Sequence, residues 1–166
     1  MKDLSALVKE LINHQIEQPW LEFKHNTNDP SMIGERISAI ANSAAMLERS
    51  CGYIVWGIDD VTHEILGTEF KPEHQKIKGQ ELKSWLHNNL SNNAEFEFSE
   101  TIVDGYRTVI LIIYASKLHP VAFQNCEYIR DGSYTKKLMD RPQMASKLWF
   151  ALNSQSIVTT SEFIAL

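Results

Sequence analysis

Asp104-Gly105, set between two strand-like runs, constrains the fold of this chain more than any other pair of residues. An Asp-Gly pair suits a two-residue hairpin, because the tight turn that matches strand twist needs positive φ at both positions. Before it, residues 95–103 alternate, with Phe96 and Phe98 opposite Glu95, Glu97 and Ser99. That is the period-two pattern of a half-buried strand. After it, residues 106–114 form the returning strand, and the apolar run 109–113 predicts a central position in a sheet. An antiparallel pair is therefore expected at the heart of the molecule.

The remaining pattern places helices around that pair. Leu4, Leu7, Val8, Leu11 and Ile12 make one apolar stripe, predicting a helix over 4–16 that ends before Pro19. Residues 20–24 read as a strand. Asp29-Pro30 is a helix start, with Asp as cap and Pro in the first turn. The helix it opens carries Ile33, Ile37, Ile40, Ala44 and Leu47, with Ala41 and Ala45 small enough for close packing on a sheet. Residues 52–58 read as a buried strand and 64–69 as a short one. A helix is expected over 75–90, short strands over 120–123 and 127–130, a turn at 131–134, and a helix over 142–152. The fold class is α+β, a mixed and mainly antiparallel sheet flanked by helices. Residues 1–152 make one domain, and 153–166 read as a tail leading towards a further region.

Composition narrows the function. The net charge of −5 argues against coating nucleic acid by bulk electrostatics. The charge is unevenly spread, however. Residues 116–150 carry six Lys and Arg against three carboxylates, so a phosphate-binding patch is expected there, at Lys117, Arg130, Ser133, Lys136 and Lys137. Gly132 beside Ser133 allows close backbone approach. Two cysteines, Cys51 and Cys126, lack metal-ligand spacing and read as buried thiols in a reducing compartment, which suggests the cytoplasm. The longest apolar run, 109–115, is too short to cross a membrane.

Within Trp20-Leu21-Glu22-Phe23-Lys24, alternation puts Glu22 and Lys24 on one face and Leu21 and Phe23 on the other. A carboxylate beside an ammonium can hold a divalent ion and steady a phosphate. Asp59 and Asp60 return charge at the end of the buried strand, and a turn role competes with a functional one at each.

These blocks, in this order, resemble the Schlafen-type AlbA-like domain. The matching segments are Glu17 with Leu21-Glu22-Phe23-Lys24, Ile37-Ser38-Ala39-Ile40-Ala41-Asn42-Ser43, and Gly52-Tyr53-Ile54-Val55-Trp56-Gly57-Ile58-Asp59-Asp60. Ile65-Leu66-Gly67-Thr68, Pro120-Val121 and Tyr128-Ile129-Arg130-Asp131-Gly132-Ser133 follow. Many members turn directly after the Asn-Ser pair, whereas here residues 44–51 intervene before Gly52, as in a longer-helix prokaryotic subgroup.

The resemblance implies a nucleic-acid-binding domain, DNA or RNA, of a prokaryotic regulatory or defence protein. The second implication comes from vertebrate Schlafens, where a similar domain belongs to a metal-dependent endoribonuclease. Its three acidic positions fall on Glu17, Glu22 and Asp60, which would hold Mg²⁺ or Mn²⁺, and Lys24 would offset transition-state charge. Vertebrate catalysis pairs two such lobes, so this chain would form a homodimer to imitate it. A dimerisation or protein-interaction module is the third alternative, favoured by the acidic net charge.

Overall fold

The computed structural model describes residues 3–14 and 18–165, with side chains described as far as Ser154. A four-stranded sheet forms the centre, in the order β1 (Leu21–Lys24), β2 (Cys51–Trp56), β6 (Tyr106–Tyr114), β5 (Phe96–Val103). β1 and β2 run parallel, and the other two pairings are antiparallel. The β5–β6 hairpin turns at Asp104 (φ 50°) and Gly105 (φ 84°), both left-handed as the Asp-Gly pair predicts.

The register divides the sheet into two faces. Leu21, Phe23, Val55 and Ile110 point towards α1 (Leu4–Ile12), which presents Leu7, Val8 and Leu11. Asp3 caps that helix by accepting from the Ser5 amide at 3.0 Å. On the other face Ile54, Trp56, Leu111 and Ile113 pack beneath α2 (Pro30–Met46), through Ile33, Ile37 and Ile40, and beneath α3 (Leu82–Asn89), through Leu82 and Leu86. Asp29 accepts from the Met32 amide at 2.9 Å and so starts α2 where expected.

At Gly52 both α2 and the backbone entering β1 lie close against β2. A Cβ there would lie 2.5 Å from the Trp20 carbonyl oxygen and against the Ile40 side chain. Backbone cannot yield as a flexible side chain can, so Gly52→Ala should destabilise the fold by about 1–3 kcal/mol. A urea denaturation midpoint unchanged from wild type would show that the strand and helix separate at no cost.

A second layer lies across α2. Strands β7 (Ala122–Phe123), β8 (Cys126–Asp131) and β9 (Tyr134–Lys137) form a three-stranded meander. Ile129 of β8 joins Ala45 and Met46 of α2 and Leu148 and Leu152 of α4 (Pro142–Ala165) in a separate apolar cluster. α2 is thus covered on both sides.

Four expectations change. The first helix stops at Ile12, short of the 4–16 span, of which residues 15 and 16 lie outside the described residues. Residues 64–69 return beside the end of β2 but form one bridge, Ile58 to Ile65, and no strand. The first half of the 75–90 span is a small hairpin of β3 (Lys76–Ile77) and β4 (Gln80–Glu81), because Lys78 and Gly79 both take positive φ and interrupt any helix. α4 continues through the residues read as a tail, where no Gly or Pro stops it.

Candidate functional site

Glu22 lies opposite Ile54 in the β1–β2 register, on the face that α2 covers. It is only 4% exposed. A lone buried carboxylate is costly, and three cations from three different elements meet it here. Lys24 Nζ from β1 is 3.2 Å from Oε1. Arg36 Nε from α2 spans both oxygens, donating to Oε1 at 3.2 Å and lying 3.1 Å from Oε2. Arg130 Nη1 from β8 is 3.5 Å from Oε2, and the Arg130 side chain is fully buried. Burial pushes the Glu22 carboxyl up, but Arg130, Arg36 and Lys24 together outweigh it and hold the group below its ordinary value.

Arg130 reaches Glu22 because α2 fastens the β7–β8 layer down. Asn42, wholly buried, donates to the Val121 carbonyl at 3.0 Å and the Tyr128 carbonyl at 2.8 Å. Its Oδ1 accepts from the Val121 amide at 2.8 Å and from the Ser116 hydroxyl. Ser38 donates to the Val121 carbonyl at 2.7 Å and accepts from the Tyr128 amide at 3.0 Å. Ser43 accepts from the Arg130 amide at 3.0 Å. The polar residues of the 37–43 block therefore hydrogen-bond strand backbone that would otherwise be buried unpaired.

Of the remaining predicted carboxylates, only Asp60 is among the described residues, and it does not join Glu22. Glu17 lies outside the described residues. Asp60 is exposed, four residues past the end of β2. Its neighbour Asp59 accepts from the Val61 amide at 2.9 Å and the Thr62 amide at 2.7 Å, bonds that hold its carboxyl below the ordinary value and give it a turn role. Among the described residues no three carboxylate, histidine or cysteine groups come together as a metal would require. The charges already on the Glu22 oxygens would also repel a divalent ion, which seeks free anionic oxygen. Glu22 and Asp60, the described members of the predicted set, do not by themselves form a Mg²⁺ or Mn²⁺ site.

The predicted phosphate contacts divide. Ser133, Lys136 and Lys137 are exposed on the β8–β9 hairpin, whose turn uses Gly132 at φ 61°. Lys136 Nζ lies 5.6 Å from the centre of the exposed Tyr134 ring. Lys117 is exposed in the connection between β6 and β7. Arg130 points inward to Glu22, with Nη1 also 3.4 Å from the Thr135 hydroxyl. Arg36 is the member that sequence reasoning missed. Its signal was a cation on the flank of the Ile33–Ile37 stripe, in a helix expected to cover a strand bearing a carboxylate.

Fold and cluster together define an α+β domain in which a polar-striped helix joins a mixed sheet to a basic β-meander. The chain belongs to the Schlafen AlbA_2 family, whose model matches residues 17–140. Among solved structures it is similar to the DIP2311 protein of Corynebacterium diphtheriae, at 16% identity and a TM-score of 0.49. That match covers 80% of this chain and 29% of the other, so the chain spans under a third of that protein's length. No curated protein matches the sequence. No helix among the described residues is long and apolar enough to cross a membrane.

Proposed function

We propose that this chain is a nucleic-acid-binding domain of a prokaryotic regulatory or defence protein, contacting phosphates through its basic C-terminal half. The observation that carries this reading is the convergence of Lys24, Arg36 and Arg130 on Glu22. It anchors the strand that leads into the Ser133, Lys136 and Lys137 hairpin. Arg130 supports from within, while the exposed hairpin lysines and Lys117 meet the phosphates. Family membership points the same way. Both cysteines are free, which suits a reducing cytoplasm.

The test is retention of a labelled single-stranded oligonucleotide across a salt series. Removing two phosphate contacts in the Lys136→Ala/Lys137→Ala variant should weaken binding about tenfold at low salt and lower the salt slope by about 1.4. Equal affinity and slope in the two proteins, with unchanged circular dichroism, would remove the hairpin from the interface.

A further inference from the structure

A cleft of about 400 Å³ opens at the sheet edge opposite Glu22, where β5 is the outermost strand. One wall is the 71–74 turn, with Lys71, Glu73 and His74. The other is formed by β5 and β6, through Phe98, Glu100 and Arg107. We propose that this cleft binds a nucleoside monophosphate unit, supplied either as a free nucleotide or as the phosphorylated end of a strand.

Arg107 is built into the wall. Its Nη1 donates to the Thr68 carbonyl at 3.0 Å and the Phe70 carbonyl at 2.7 Å, and its Nη2 donates to Glu100 at 2.8 Å. These bonds use three of the five N–H groups of a guanidinium. The Nε–H and the second Nη2–H take no part in these bonds. Because the group is already held, little side-chain freedom is lost when an anion arrives. The planar fork matches two phosphate oxygens. Lys71 and His74, both exposed, add cationic reach from the opposite wall. Glu100 is balanced by Arg107, which leaves Glu73 as the opposing charge.

The floor distinguishes a nucleotide from a bare anion. Phe98 is half-buried and braced by Trp56, Phe70 and Phe96, each with its ring centre 6.2 Å away. A fixed aromatic surface beside a fixed guanidinium suits a planar base joined to a phosphate. The volume lies in the range of small-ligand pockets, roughly 300–1,000 Å³, and far exceeds what orthophosphate would fill. The site is separate from the hairpin lysines, so it stands or falls independently of them.

Calorimetric titration tests it, with adenosine monophosphate, orthophosphate, and a short single strand with or without a terminal phosphate. Lys71→Ala, His74→Ala and Lys136→Ala/Lys137→Ala serve as variants. Adenosine monophosphate should bind with a dissociation constant below about 1 mM, and Lys71→Ala should weaken it about tenfold. Orthophosphate should bind at least about tenfold more weakly, and the hairpin variant should leave nucleotide binding unchanged. Tighter binding of the phosphorylated strand than of the mononucleotide, again sensitive to Lys71, assigns the strand end as source. The reverse order assigns the free nucleotide. The proposal is overturned if neither ligand binds, if Lys71→Ala and His74→Ala both leave binding unchanged, or if orthophosphate binds as tightly as the nucleotide.

Discussion

Replacing Glu22 by Ala is expected to lower folding stability by about 3–5 kcal/mol, because the change leaves Arg36 and the fully buried Arg130 without their shared counter-ion. The figure measures the uncompensated charge left behind, since a buried ion pair compared with an apolar substitute is often close to neutral. The same residue sets an acid dependence. Its folded-state carboxyl titrates below the ordinary glutamate value of 4.5. Its contribution is therefore complete above that value and is lost as pH falls through the folded-state value. Glu22→Gln, which has no carboxyl to protonate, should lose stability less steeply than wild type between about pH 5 and pH 3. Urea unfolding over that range measures both slopes. Parallel curves would mean that the cluster contributes nothing to acid sensitivity.

Asn42→Ala should be comparably damaging, at about 3 kcal/mol or more. The side chain makes two donor and two acceptor bonds in a site with no exposure. Its loss leaves the Val121 amide and the Tyr128 carbonyl buried without these partners, and that desolvation is the larger part of the effect. Asn42→Asp should be no better, because a carboxylate cannot donate to the two carbonyls. Ser38→Ala, which removes one donor and one acceptor, should cost about half as much. Thermal unfolding ranks the three. If Asn42→Ala melted with wild type, the stripe would not be what fastens the meander to α2.

The main frame of this fold could be read from sequence where local chemistry and long-range packing agree. Asp104-Gly105 can form a tight hairpin with no help from the rest of the chain. Asp29-Pro30 starts a helix by its own cap. The 75–81 stretch could not be read in that way. Ile77 fits the spacing of the apolar residues of α3, and only the left-handed Lys78-Gly79 pair separates hairpin from helix. At the site, alternation correctly put Glu22 and Lys24 on one face of β1. It could not say that α2 would roof that face. The partners Arg36 and Arg130 stand 14 and 108 positions from Glu22 along the chain, beyond the reach of any local pattern. Arg130 looked like a surface cation because it adjoins a Gly-Ser turn. The strand places it one pleat inward, facing Glu22.

The most direct test of the central reading is binding of labelled transfer RNA and single-stranded DNA over a salt series, run in EDTA and again in Mn²⁺. The account predicts retention at low salt that falls steeply as salt rises, is equal in the two conditions, and leaves the nucleic acid uncut. Absence of retention at any salt would contradict it, as would Mn²⁺-dependent cutting that disappears in Glu22→Gln.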